Sequence, residues 1–128
     1  EYYADGVRES LNAWGVGNEF ENYIARAPYN GLKSIIEQKW IASWTTAQEA
    51  WFDWRRTGLP DLKTGPSAIR PVLPIRWYYH TNDEVEKNRA NVEAAVERLE
   101  ATPYQGTDQT KNSAWSKMWV LQGTGKPY

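Results

Sequence analysis

The chain has 128 residues and a formal net charge of −1, with 15 lysines and arginines against 16 aspartates and glutamates. No basic cluster of the kind that binds nucleic acid or anionic lipid is present, so neither partner is expected. No run of about 18 apolar residues predicts a membrane-spanning helix. Cysteine is absent, which excludes a disulfide framework and a cysteine nucleophile.

Aromatic side chains are abundant, with eight Trp and eight Tyr against two Phe. Trp and Tyr carry polar groups and favour half-buried positions. A chain of this length can hide only part of them, so we expect some to face another segment or another chain. Because the sequence starts at Glu1 and is helical in pattern from there, we expect it to be a fragment of a longer protein.

The apolar spacing predicts three helices in the first 44 residues. The first covers residues 2–14 and is ended by glycines. Its apolar stripe comprises Tyr3, Val7, Leu11 and Trp14. A short second helix follows, with Asn18 and Glu21 as a capping box. Asn30 is predicted to cap the third helix, over residues 32–44.

A fourth helix is predicted from residue 47 to Gly58, with Thr45 or Thr46 as its N-cap. Its apolar stripe comprises Ala47, Ala50, Trp51 and Trp54. The third and fourth helices together hold four tryptophans within fifteen residues. Each large aromatic can bury about 150–250 Å², so we predict that these indoles pack in a core. Stacking of sugars or bases on them is the alternative.

The same stretch resembles a known family. Residues 35–60 read IIEQKWIASWTTAQEAWFDWRRTGLP. This run is similar to the C-terminal region of the SusD/RagB family of nutrient-binding outer-membrane lipoproteins, where a variant of IIxQKWIA precedes QEAWxxxRRTGxP. Residues 1–16, EYYADGVRESLNAWGV, resemble a family helix of the form YxxGIxxSxxxWGV. The resemblance covers nearly all of residues 1–121.

The second half of the chain changes character. Prolines at 60, 66, 71 and 74 forbid a helix over residues 59–79 and favour extended backbone. A helix capped by Asn88 or Asn91 follows, and residues 113–121 form a short amphipathic turn. The predicted fold class is mainly α: the helical C-terminal part of a SusD/RagB-like α-α fold with a long proline-rich extended connector. Residues 1–128 are predicted to form a single unit.

The single histidine, His80, is the first candidate for catalysis or metal binding. No nucleophile motif accompanies it, so a catalytic triad is not predicted. A metal would need convergent ligands, and only Asp83 and Glu84 are near in sequence. We predict a structural histidine, no metal site and no cofactor.

Charged groups around the fourth helix are the second candidate. A glycosidase needs two carboxylates at a defined separation, and Glu37, Glu49 and Asp53 lie close in sequence. Asp53 can instead pair with Arg56, and Glu49 can cap its helix or pair with an arginine. Arg55 and Arg56 could clamp an anion, or bond the last carbonyls of the helix. We favour the structural interpretation in each case, and no catalytic residue is predicted.

Ligand binding is predicted at Trp77, Tyr78 and Tyr79, which lie on the proline-bounded segment. Flat aromatic rings stack against the apolar faces of sugar rings. The alternative is that these rings pin the segment to the helical core. The resemblance places the family's glycan contacts in upstream segments, which weakens this assignment.

The resemblance implies a non-catalytic glycan- or nutrient-binding component of a TonB-dependent uptake system. Such a protein lies on the extracellular face of a Gram-negative outer membrane, lipid-anchored through an upstream segment. The implied partners are a glycan or other oligomeric nutrient, a SusC-like TonB-dependent transporter, and the upstream remainder of the same protein. Two alternatives are a helical protein-interaction module without ligand binding and a glycan-processing enzyme.

Overall fold

The structure is a computed structural model that describes residues 1–80, 85–105, 111–124 and 126. Over these residues it is mainly helical and contains no β-strand, which confirms the predicted fold class. The chain divides into two compact units, Glu1–Asp61 and Leu62–Tyr128. That both belong to one domain stays a prediction.

The first unit is built from four α-helices. They are α1 (Tyr2–Ala13), α2 (Phe20–Arg26), α3 (Leu32–Ala42) and α4 (Ala47–Thr57). One-turn 3₁₀ segments at Gly17–Glu19 and Ser43–Thr45 lead into α2 and α4. The observed helices follow the predicted ones closely, because apolar residues recur at helical spacing in each.

Glycines end α1 and α4, as predicted. Gly15 has φ 73°, and its N–H bonds the carbonyl of Asn12 while that of Val16 bonds the carbonyl of Leu11, at 3.0 and 2.9 Å. These two bonds form a Schellman motif, which needs a left-handed residue. Gly58, with φ 74°, is the left-handed residue that ends α4, and its N–H bonds the carbonyl of Trp54.

The N-caps predicted for α2 and α3 are wrong. Glu19 is the N-cap of α2 and Gly31 that of α3, and neither cap has a side-chain hydrogen bond. The Asn18 amide instead bonds its neighbour Glu19 at 3.2 Å. At the start of α3, the Ser34 hydroxyl accepts a hydrogen bond from the backbone N–H of Asn30. The predicted caps Thr46 and Asn88 do stand at N-cap positions, but their side chains make no cap bond.

The core of the first unit contains one of the four predicted core tryptophans. Its buried apolar residues are Val7, Phe20, Ile36 and Trp54. Trp54 is 5% exposed, but Trp40 is 44% and Trp44 68% exposed. The prediction that the indoles pack in a core is therefore wrong for Trp40 and Trp44. The reason for Trp40 is that α3 is apolar on more than one side, and the unit leaves Leu32 and Ile41, on opposite sides, exposed. Trp44 lies beyond α3, in the 3₁₀ segment Ser43–Thr45.

The second unit carries the nine-residue helix α5 (Arg89–Glu97) and long irregular segments. Glu100 and Lys117 form an antiparallel bridge through two backbone hydrogen bonds of 3.0 and 2.8 Å. A one-turn 3₁₀ segment, Trp119–Leu121, lies in the predicted amphipathic turn. Buried apolar side chains are Ile75, Val92, Leu99 and Leu121. Buried polar side chains are Arg76, Thr102, Gln105, Ser113, Ser116 and Lys117.

The buried polar groups of this unit are hydrogen-bonded, as burial requires. The Thr102 hydroxyl donates to the carbonyl of Trp115 at 2.7 Å. Ser113 and Ser116 donate to the backbone and side-chain oxygens of Gln105, both at 3.3 Å. Because irregular backbone has no helical partners, these side chains supply the bonds that hold it.

Candidate functional site

The predicted ligand residues Trp77, Tyr78 and Tyr79, here called the aromatic tripeptide, follow the proline-rich segment in the second unit. Trp77 is 81% and Tyr78 53% exposed. Tyr79 is half-buried. The first two rings therefore offer area for a ligand, while the third lies against the protein. Their function as a binding site stays a prediction.

Asn112 fixes the backbone of the aromatic tripeptide. The Tyr79 N–H donates to Asn112 Oδ1 at 2.8 Å, and Asn112 Nδ2 donates to the Tyr79 carbonyl at 2.9 Å. One amide group thus satisfies both backbone groups of one residue, as a neighbouring strand would. The sequence analysis missed Asn112, because 33 residues separate it from Tyr79 and no periodicity joins them.

Arg76 is a second contact of the tripeptide, and its Nη1 also lies 3.5 Å from Asn112 Oδ1. It is 5% exposed, and Nη1 donates to the carbonyl of Ser113 at 2.8 Å. Its guanidinium carbon lies 5.2 Å from the ring centroid of Tyr79. Burial lowers the pKa of Arg76 and the Tyr79 phenol acts in the opposite direction, so the guanidinium stays charged near neutral pH. The sequence analysis also missed this role.

The backbone before the tripeptide is tied to the same segment. The N–H groups of Ile75 and Arg76 both donate to the carbonyl of Ala114, at 2.8 and 3.2 Å. The indole of Trp115 donates to the carbonyl of Val72 at 3.0 Å, and Arg70 lies 4.2 Å from the Trp115 ring centroid. The proline-rich connector is therefore a fixed support for the exposed rings.

The histidine candidate does not lie in a metal site of the described chain. His80 is exposed, and Asp83 and Glu84 lie outside the described residues. Among the residues that the structure describes, no group of three His, Cys, Asp or Glu side chains could hold a metal ion.

Asp53 joins two helices. Its Oδ2 lies 2.6 Å from Nζ of Lys39 on α3, and its Oδ1 2.8 Å from Nη2 of Arg56. The hydrogen bond from Lys39, followed by that from Arg56, lowers the pKa of Asp53. A general acid needs the opposite shift, so this carboxylate is suited to an ion pair. Glu49 lies 3.9 Å from Lys39, which differs from the predicted cap or arginine pair.

The two arginines at the end of α4 contact different groups. Arg55 lies over the rings of Trp51 and Phe52, with its guanidinium carbon 4.1 and 5.0 Å from their centroids. Arg56 pairs with Asp53, as predicted. These contacts fit a structural role and not a joint clamp for one anion, since a clamp needs both guanidinium groups turned to the same ligand.

A concave surface in the first unit, here called the aromatic groove, is the second candidate site. It has a volume of about 720 Å³ and is lined by residues of α1 and α3 and their neighbours. Its aromatic rings include Tyr2, Trp14 and Trp44. The two indoles have centroids 5.4 Å apart and planes inclined by 43°. No acidic residue lines the groove.

Comparison with known proteins gives one match. The sequence model of the SusD-like family, described as starch-binding associating with outer membrane, matches residues 1–80. This range exceeds half of the chain and includes the aromatic groove and the aromatic tripeptide. Neither the curated proteins nor the solved structures give a match. The resemblance beyond residue 80 stays a prediction. Over residues 1–80, the sequence identifies the chain as a member of the SusD-like family.

Proposed function

We propose that this protein is a non-catalytic glycan-binding component of a TonB-dependent uptake system of the outer membrane. The observation that carries the proposal is the family match over residues 1–80, with its description as starch-binding. Members of this family are binding proteins and not enzymes. In the described residues, no helix is both long and apolar enough to cross a membrane.

The aromatic tripeptide supports the proposed contact with a sugar. The Trp77 and Tyr78 rings are exposed, and an aromatic face is a flat apolar surface on which the C–H face of a pyranose can stack. Asn112 and Arg76 hold the backbone and the third ring in place. A contact that is already ordered loses less entropy on binding, which favours affinity.

The environment of the carboxylates favours binding over hydrolysis. A glycosidase places two carboxyl groups on either side of the scissile bond, and one of them has a raised pKa. Asp53 has a lowered pKa and is held by Lys39 and Arg56. The aromatic groove is lined by no carboxylate. These observations support a role in capture.

The proposal extends to location and partners. The family description supports association with the outer membrane. We propose that the complete protein is held on the extracellular face by a lipid on an upstream segment. From there it passes a glycan or another oligomeric nutrient to a SusC-like TonB-dependent transporter.

Calorimetric titration of the full-length protein with malto-oligosaccharides tests the binding function. We expect saturable heat with an α-linked glucan, no heat with a cello-oligosaccharide of equal length, and no release of reducing ends. Absence of heat with every glycan would support the protein-interaction alternative. Release of reducing ends would identify an enzyme and contradict the proposal.

Two tryptophan variants test the tripeptide within that experiment. Trp77→Ala should weaken glucan binding by about 2- to 12-fold, which corresponds to one aromatic contact of about 0.5–1.5 kcal/mol. Trp119→Ala is the matched control, because Trp119 is also 81% exposed. Equal affinities of the two variants would exclude Trp77 from the site without affecting the proposed function.

A further inference from the structure

We propose that the aromatic groove of the first unit is a second glycan site, which binds a neutral oligosaccharide chain. The inference rests on the proposed glycan-binding function and adds a site formed by residues other than the aromatic tripeptide. The groove has a volume of about 720 Å³, which lies within the usual 300–1,000 Å³ of small-ligand sites. All the residues that line it fall inside the matched range 1–80.

The exposed rings give the groove its capacity for stacking. Tyr2 is 91%, Trp14 57% and Trp44 68% exposed, and all three line the groove. Contiguous apolar surface of this kind on a folded protein marks a binding surface more often than chance. The Trp14 and Trp44 rings also contact each other, with centroids 5.4 Å apart, so they form one continuous aromatic surface.

A few polar groups within the groove retain hydrogen-bonding capacity. The Tyr23 hydroxyl donates to Gln38 Oε1 at 2.7 Å, which fixes the amide and leaves the two hydrogens of Gln38 Nε2 without a partner among the described residues. The Ser10 hydroxyl also has no side-chain bond there. A largely apolar wall with a small number of fixed polar groups is the usual composition of a ligand site.

The charge of the groove argues for a neutral occupant. No acidic residue lines it, and its one cationic group, Lys39, is paired with Asp53 at 2.6 Å. A phosphate or a carboxylate ligand would therefore find no available cation, and a basic peptide would find no anion. Oligosaccharides of glucose are uncharged and combine apolar ring faces with hydroxyl groups, which matches both parts of the lining.

The test uses the full-length protein and maltoheptaose, with affinity and stoichiometry measured by calorimetry. The double variant Trp14→Ala, Trp44→Ala should weaken binding at one site by about 5- to 150-fold, as expected for two aromatic contacts. Trp119→Ala should bind like the wild type. Far-ultraviolet circular dichroism on each variant checks that the helices are retained.

A second pair of variants leaves Trp14 and Trp44 unchanged. Gln38→Met removes the donor and keeps the length of the side chain, and should weaken binding by about 2- to 12-fold, as for one lost hydrogen bond. Gln48→Met makes the same change at an exposed position of α4 that does not line the groove, so it should bind as the wild type does. Equal losses in both variants would overturn the assigned role of Gln38.

The possible results separate this inference from the proposed function. If the wild type binds maltoheptaose and the Trp14, Trp44 double variant binds equally well, the groove is not a glycan site, while the proposed function stands. If the wild type binds no glycan, the proposed function fails and the inference fails with it. Protection of Trp14 and Trp44 from acrylamide quenching in the sugar-free protein would show that another segment or protein occupies the groove, and would also overturn it.

Discussion

The two units of this chain order their aromatic side chains by different means. In Glu1–Asp61, four helices satisfy their own backbone groups, and apolar contacts hold the helices together. In Leu62–Tyr128, irregular backbone is held by buried polar side chains such as Arg76 and Thr102. In the first unit, a helix sets the position of an aromatic ring but does not determine whether another element covers it. In the second unit, hydrogen bonds from polar side chains determine which rings are exposed.

The first unit uses few long-range polar contacts. Tyr3 donates to the carbonyl of Ala27, and Tyr23 to Gln38, both at 2.7 Å. Burial, followed by the nearby Tyr23 and Glu37, raises the pKa of Tyr3, so this hydroxyl remains a donor at neutral pH. Each of these bonds connects two segments that are already ordered by helix formation, and neither determines the backbone path.

The largest expected effect concerns the apolar core of the first unit. Trp54→Ala should lower the free energy of unfolding by about 3–5 kcal/mol, because it leaves a cavity in a closed site. The matched control is Trp44→Ala, at a site 68% exposed, which should cost less than about 1 kcal/mol. Urea unfolding followed by helical circular dichroism measures both. Equal losses would show that the first unit is not held by the contacts described here.

In the second unit, a single polar side chain, Arg76, should make a contribution of similar size to the free energy of unfolding. Arg76→Leu removes the bond to the Ser113 carbonyl and should cost about 1.5–3 kcal/mol, the range for a hydrogen bond to a charged group. Arg89→Leu is the control, since Arg89 lies 3.9 Å from Glu93 at the surface and such pairs contribute about 0–1 kcal/mol. The same urea experiment applies, read by tryptophan fluorescence. If Arg76→Leu did not change the free energy of unfolding, the second unit would not depend on buried polar side chains in the way proposed here.

A smaller effect should follow from the ion pair that joins α3 and α4. Asp53→Asn should cost about 1 kcal/mol at neutral pH, as a typical net hydrogen bond does. The folded-state pKa of Asp53 is lowered, so its contribution is present above the unfolded pKa of about 3.9 and is lost as pH falls through the folded value. Urea midpoints between pH 7 and pH 2 should therefore decline less steeply in the variant.

The control for that prediction is Glu49→Gln. Glu49 is exposed and lies 3.9 Å from Lys39, so its removal should leave both the midpoint and its pH dependence nearly unchanged. If Glu49→Gln reproduced the pH effect of Asp53→Asn, the assignment of that effect to the half-buried Asp53 would be wrong.

The smallest expected effects compare two glycines of the first unit. Gly15 has φ 73°, so Gly15→Ala should cost about 1 kcal/mol through the strained backbone. Gly6 lies inside α1, and a Cβ there meets no atom within 4 Å. Gly6→Ala should therefore stabilise the protein by about 0.5–1 kcal/mol. Thermal unfolding should show midpoints shifted in opposite directions, and a shift of the same sign would contradict the described end of α1.

The helices could be predicted from the sequence because their signals are local. Apolar residues at helical spacing give the existence of α1 and α4, and Gly15 and Gly58 give their ends. The caps at Asn18 and Asn30 were wrong, because several polar residues compete within the same few positions and spacing alone does not select one.

The exposure of the aromatic rings and the long-range hydrogen bonds of the second unit could not be predicted in the same way. Periodicity shows that Trp40 and Trp44 have an apolar neighbourhood along α3, but not whether another element covers it. In the second unit, the three adjacent aromatic residues can be recognised in the sequence. The contact of Tyr79 with Asn112 and that of Arg76 with Ser113 cannot, because they connect positions more than 30 residues apart. Such contacts depend on the path of irregular backbone, which has no periodic signature.

The paired hydrogen bonds of Asn112 require both an acceptor and a donor on one short side chain. Aspartate is nearly identical in shape but carries no donor when ionised. Aspartate would keep the acceptor for the Tyr79 N–H but would replace the donor to the Tyr79 carbonyl with a second oxygen. The replacement of one nitrogen by an oxygen would therefore loosen the backbone that carries Trp77 without any change in the helices.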